Sequence, residues 1–241
     1  MTGTTYAQAL RQLGAAQKSN RGAPIYSRLI NRPLGRLLAA GAFVLGLSPS
    51  AVTTLSALCT GLGIALIALV PPSIPMGLGV GLLLVLGYAL DSADGQVARL
   101  RGGGTQAGEW LDHVVDSVKL STIHLAVAIS LYRFVPDLHG APLLIPLAFA
   151  VIQNVHFFTF ILTDKMRRSN AEHRLASQDE HRPSLLRSIV AAPHDYGLLA
   201  LAFLTFGASH LFLVIYTVLM LGSGLYLGAV LVKSYLSVRA L

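Results

Sequence analysis

Residues 76–116 read MGLGVGLLLVLGYALDSADGQVARLRGGGTQAGEWLDHVVD. An uncharged apolar run, Met76–Leu90, leads straight into Asp91 and Asp94, and after a glycine-rich break a second segment opens with Asp112 and Asp116. A run of this kind reads as most of a helix crossing a bilayer, which needs about 20 apolar residues. An ionised aspartate in hydrocarbon costs a few kcal/mol or more, so such residues should face a wet cavity and be compensated by cations. Four together imply metal.

Working outward, similar apolar runs occupy Ala51–Val70, Leu143–Ile161 and Leu211–Val232. Over all 241 residues, 54% are hydrophobic and only 12% charged, with a mean hydropathy of +0.63. A soluble domain carries about 25% charged residues, so an ordinary soluble enzyme is excluded. The expected fold is an all-α integral membrane protein. The basic stretch Met1–Asn31 has neither the apolar h-region nor the cleavage site of a signal peptide, so no removal is expected. Cys59 is the single cysteine, which excludes an internal disulfide and a cysteine-cluster metal site.

Polar and Gly/Pro clusters divide the chain into six expected transmembrane helices, near 50–70, 75–99, 107–132, 142–163, 188–206 and 211–233. Pro193 and His194-Asp195 fall in the fifth, and a break there would shorten it. The net charge of +7 matters by position: sixteen of the eighteen Lys and Arg residues fall on one side of these spans. The opposite loops hold Arg133 alone, and Lys119 lies inside the third span. The positive-inside bias then puts both termini, the 100–106 loop and the 164–187 loop in the cytoplasm, with the protein in the plasma membrane. The positive charge is thus assigned to orientation, and no nucleic-acid partner is expected. Ahead of the first span, Arg28, Arg32 and Arg36 repeat every four residues, with Leu29, Ile30, Leu34, Leu37 and Leu38 on other faces. This reads as an interfacial amphipathic helix whose arginines attract anionic lipids. A short span over Pro33–Leu47 is the alternative, disfavoured by its length and the charge count. The expected organisation is residues 1–48 as a cytoplasmic segment with the interfacial helix, and residues 49–241 as the six-helix domain.

At about 100° per residue, Asp94, Gly95 and Ala98 share a helical face with Asp91, while Gly108, Asp112 and Asp116 form a second stripe. The hinge Arg101-Gly102-Gly103-Gly104-Thr105 is short enough to make the two helices antiparallel neighbours with the stripes facing.

Asp91-x2-Asp94-Gly95-x2-Ala98-Arg99, then eight residues to Gly108, three to Asp112 and three to Asp116, resembles the signature of the CDP-alcohol phosphotransferase family, with all eight fixed positions present. The resemblance implies that an acceptor hydroxyl attacks the phosphate nearest the alcohol of a CDP-alcohol, releasing CMP. It also implies that Asp91, Asp94, Asp112 and Asp116 hold two divalent cations, Mg²⁺ or Mn²⁺, with Asp116 as the general base. Oxygen ligands suit such hard cations, which neutralise a pyrophosphate. Gly95, Ala98 and Gly108 keep side chains short where the nucleotide lies, and Arg99 is placed to pair with a phosphate. The family's Pro-Asn-x-x-Thr/Ser approach to the first span corresponds to Pro49 and Thr53 here, with Ser50 in place of the amide.

The expected donor is CDP-diacylglycerol and the acceptor a small polar alcohol, giving a phospholipid. A soluble CDP-polyol donor with a lipid or polyol acceptor is the alternative, and an ion-coupled transporter a distant one. The Arg101–Thr105 hinge looks like that of actinobacterial phosphatidylinositol-phosphate synthases, whereas Thr163–Arg168 matches their basic run only loosely. Lys165, Arg167 and Arg168 read first as orientation signal and second, with Lys119, as acceptor-binding residues; Lys119 reads more readily as an ion pair for Asp116. Gly224-x3-Gly228 suits a helix packing face or a homodimer contact.

Overall fold

The computed structural model describes residues 5–15, 24–171 and 191–240. Helices dominate, and there is no strand among the described residues. They are α1 (Tyr6–Ala15), a π-helical turn (Ser27–Asn31) running into α2 (Arg32–Val44), α3 (Pro49–Leu69), α4 (Ile74–Leu100), α5 (Gln106–Phe134), α6 (Leu144–Ala171), α7 (Tyr196–Ala202) and α8 (Ser209–Arg239).

Three of the long helices, α3, α4 and α5, start where the sequence supplies a cap. Ser48 accepts the Ala51 N–H ahead of Pro49, Ser73 accepts that of Met76, and Thr105 accepts that of Gly108 at 3.0 Å. α4 stops at the glycine hinge. The Gly103 N–H returns to the Ala98 carbonyl at 2.9 Å, with φ of +92° at Gly102 and +133° at Gly103, a backbone that L side chains rarely adopt. Thr105 then restarts the chain as α5.

Among the described residues, five helices are long and apolar enough to cross a membrane: Pro49–Leu69, Ile74–Leu100, Gln106–Phe134, Ala141–Arg167 and Ser209–Arg239. The expected segment 188–206 begins outside the described residues. Its described part is interrupted by a 3-10 turn at Ala192–His194 around Pro193, followed by the short apolar stretch Tyr196–Thr205. The count of six therefore rests on a segment that is described only in part.

The helices pack through small residues. A Cβ on Gly81 would lie 2.6 Å from the Leu204 side chain, and one on Gly77 2.9 Å from the Phe203 carbonyl. The Ser56 hydroxyl donates to the Gly87 carbonyl at 2.8 Å, fastening α3 to α4. Gly79 and Gly228 face open space instead, and a Cβ on Gly224 would lie 3.4 Å from Ile152. The aromatic core lies at the end away from the hinge, where Phe149, Phe203, Phe206, Phe212 and Tyr216 are buried together. Outward leucines such as Leu58, Leu62, Leu82 and Leu225 are exposed, as lipid-facing side chains are.

α2 and the turn before it depart from the expectation of an interfacial helix in one respect. Arg28, Arg32 and Arg36 are half-buried, while Leu29, Ile30, Leu34 and Leu37 are exposed. Gly35 and Ala39 lie on the arginine face and are buried, Gly35 against Ser92 and Gln96 of α4. Small residues permit that approach, so the basic stripe turns toward the protein and the leucines outward. A Cβ on Gly35 would meet the Ser92 hydroxyl at 2.7 Å, whereas Gly41 on the same helix meets nothing. Gly35→Leu is expected to lower stability by about 1–3 kcal/mol through overpacking, read as a fall in Tm of the detergent-solubilised protein. Gly41→Leu should leave Tm near wild type; equal effects would mean that α2 does not seat on α4.

Candidate active site

The α4–α5 hairpin brings the two acidic stripes together. Asp91, Asp112 and Asp116 each present a carboxylate oxygen such that all three lie within 4.8 Å of one another. The spacing of four on α5 and the antiparallel return through the hinge produce this without any loop contribution. The Lys119 ammonium, one turn beyond Asp116, sits against the cluster, at 2.5 Å from Asp91 Oδ1 and 2.9 Å from Asp116 Oδ1. Its side chain is only 9% exposed.

Asp94 lies one turn nearer the hinge and is buried. The Thr53 hydroxyl donates to Asp94 Oδ2 at 2.6 Å, and the Pro49 carbonyl is 3.1 Å from the same hydroxyl. Pro49 and Thr53 thus meet the acidic motif through α3. Gly95 leaves its face open; the nearest atom to a Cβ there is Arg99 Nη1 at 3.8 Å, so the guanidinium of Arg99 reaches back over Gly95. Gly108, in the first turn of α5, is held by its bond to Thr105.

Three arginines have buried nitrogens with no hydrogen-bond partner among the described residues: Nε of Arg99, Nε of Arg36 and Nη1 of Arg28. Buried cationic donors without partners are costly and suit an anion. α2 brings its arginines beside the motif, since the Gln96 amide donates to the Arg32 carbonyl at 3.2 Å. Burial lowers the Arg32 guanidinium from its ordinary value; Tyr88 opposes this and Arg28 adds to it. Arg101 is engaged otherwise, donating to the Gly46 and Leu47 carbonyls at 2.9 Å and so tying the α2–α3 turn to the hinge.

Two of the expected acceptor residues, Lys165 and Arg167, turn to different partners. Lys165 stands 3.5 Å from Glu109 at the start of α5, beside His113, whose ring packs edge-on to Phe157. Arg167 turns to α8 and donates to the Ser237 hydroxyl at 2.6 Å and 3.1 Å. The side chain of Arg168 lies outside the described residues. Among the described histidines, His124 is buried and hydrogen-bonded to Tyr216, and the rings of His156, His194 and Tyr226 pack against one another.

Sequence reasoning did not find Asp195. Its carboxylate accepts the N–H of Ser27 and that of Gly197, each at 3.0 Å, joining the turn ahead of α2 to α7. Alongside, Tyr26 stacks on Tyr88 with ring centroids 6.3 Å apart, and Tyr88 meets Tyr196 edge-on at 5.2 Å. Only the Asp-x-Gly cap at the head of α7 hinted at it.

From Lys119 an apolar groove of about 590 Å³ runs between α3 and α5, lined by Gly61, Ile64, Ala65, Val118, Thr122 and Leu125 among others. Chemically, a hard divalent cation suits the three-carboxylate set, a phosphate suits the arginines, and the groove offers apolar surface from the same point.

Solved structures share this fold, among them two of Mycobacterium tuberculosis phosphatidylinositol phosphate synthase, PgsA1: one in complex with manganese and citrate, 21% identical over 87% of this chain and 89% of that one, and one with CDP-DAG bound, 20% identical over 87% and 93%. The TM-score is 0.53 for each. No curated protein matches the chain. The family model for CDP-alcohol phosphatidyltransferase matches residues 46–223, which contain the whole acidic motif, the hinge and the groove, and this membrane phosphotransferase belongs to that family.

Proposed function

We propose that the chain transfers a phosphatidyl group from CDP-diacylglycerol to the hydroxyl of a small polar alcohol, releasing CMP, with two divalent cations, Mg²⁺ or Mn²⁺, at the aspartate cluster. The observation that carries the choice of donor is the apolar groove opening at Lys119, the residue that bonds the acidic cluster. A soluble CDP-polyol has no use for such surface, whereas an acyl chain buries about 0.8 kcal/mol per CH₂. The neighbour crystallised with CDP-DAG supports the same choice.

In this reading the nucleotide lies over Gly95 and Ala98, with Pro49 and Thr53 behind it and Arg99 on its phosphates. Thr53 holds Asp94 in place. When bound, the cations neutralise the diphosphate and polarise the phosphoryl oxygens. The acceptor oxygen forms a bond to the phosphorus that bears the lipid, the bond from that phosphorus to CMP breaks, and the acceptor's proton passes to Asp116 as general base. Lys119 engages Oδ1 of Asp116 and helps fix the orientation of that carboxylate. Lys165, next to Glu109 at the head of α5, is the acceptor-side cation, and an anionic acceptor would use it. Arg167 is spent on Ser237 and is a weaker candidate.

The test supplies labelled CDP-diacylglycerol and a panel of neutral and phosphorylated polyols to membranes containing the chain. CMP release is expected with one acceptor class only, lost in EDTA and restored by Mg²⁺ or Mn²⁺. Ala65→Trp, which fills the groove, should raise the donor KM by about 10-fold or more, and Lys165→Ala should raise the acceptor KM alone. CMP release from a soluble CDP-polyol but not from CDP-diacylglycerol would contradict the lipid-donor reading.

The same reading places the active site at the cytoplasmic face of the plasma membrane, on the strength of the cation count. A cysteine at Gly103, in a Cys59→Ser background, is expected to react with a membrane-impermeant thiol reagent only after cells are opened. Labelling of intact cells would reverse the topology.

A further inference from the structure

We propose that Lys119 occupies one of the two cation positions of the aspartate cluster, so that the protein without donor binds a single divalent ion and admits the second only with the donor's diphosphate. The inference rests on the transferase reading above and deepens it. Its starting point is geometry: one ammonium bonds two of the three clustered carboxylates, at 2.5 Å and 2.9 Å. A lysine merely neutralising Asp116 from its own helix would have no need to reach Asp91 on α4.

The remaining ligands point the same way. The described residues offer one three-carboxylate set, Asp91, Asp112 and Asp116. Asp94 stands outside it, engaged by the Thr53 hydroxyl at 2.6 Å. With Lys119 on Asp91 and Asp116, oxygens enough for one ion are gathered and a second ion must share carboxylates the ammonium already uses.

Charge decides between the two loadings. Four ionised aspartates, Lys119, the Arg99 guanidinium that reaches over Gly95 and one divalent ion leave the site neutral. A second divalent ion without donor makes it two charges positive in a partly buried cleft, an unfavourable state in a low-dielectric surrounding. The diphosphate of a CDP-alcohol brings two negative charges and restores the balance. Lys119 thus fills a cation position until substrate arrives, so that the full metal pair assembles only around the group to be transferred.

The test counts bound Mn²⁺ on the purified full chain in detergent, without nucleotide, by removing free ion and measuring the released ion by EPR. About one Mn²⁺ per chain is expected for the wild type, about two for Lys119→Met, and about one for Lys119→Arg, which keeps the charge. Lys119→Gln serves as a second charge-removing variant should Lys119→Met not fold. Two ions on the wild type, or one ion on the charge-removing variant, would overturn the proposal. CMP release from CDP-diacylglycerol is measured on the same wild-type preparation. Absence of release at any metal concentration contradicts the transferase reading, whereas metal-dependent release with two ions already bound contradicts the Lys119 proposal alone.

Discussion

Mutual repulsion of carboxylates held within 4.8 Å of one another, inside a bundle whose outer surface is apolar, sets the terms for the rest of the molecule. At that separation and an effective dielectric of about 20, each pair of ionised groups opposes folding by roughly 3.5 kcal/mol. The helices are rigid elements joined by a hinge too short to let them separate, so the repulsion has to be offset by cations. Lys119 supplies one positive charge from α5. The rest must come from ions, and a site that needs ions to be comfortable is suited to hold a diphosphate against them.

The surrounding structure can be read as support for that arrangement. Caps at Ser48, Ser73 and Thr105 fix where α3, α4 and α5 begin, and so the height at which Thr53, Asp94 and Asp112 stand. Close approach of α3 to α4 at Ser56 and Gly87 brings Thr53 to Asp94. On the far side, Gly35 lets α2 lie on α4 at Ser92 and Gln96, which carries the arginine stripe inward. Asp195 secures the start of that helix through the Ser27 N–H. A cationic flank, an acidic floor and an apolar groove thereby meet around one hairpin.

Much of this was legible in the sequence because it is local. The four-residue spacing of Gly108, Asp112 and Asp116 and the Gly102-Gly103 hinge dictate facing stripes by helical geometry alone. The break at Pro193 was likewise readable. What the sequence left open depends on contacts between distant segments. Spacing on α5 shows that Lys119 can reach Asp116, yet not that it also reaches Asp91 on α4. The arginine stripe was assigned to the lipid headgroups because periodicity shows which residues share a face and not what that face meets. Gly35 and Ala39 on the same face were the available signal. The Asp195 to Ser27 bond links positions 168 residues apart, and no local pattern encodes it.

The central claim is that Asp91, Asp112 and Asp116 form a divalent-cation site at the heart of the hairpin. Determination of the structure with Mn²⁺, recording anomalous scattering at the manganese edge, addresses it most directly. The account predicts an anomalous peak in direct contact with oxygens of all three carboxylates. A peak bound elsewhere, or none at saturating Mn²⁺ with the three side chains still clustered around Lys119, would contradict it.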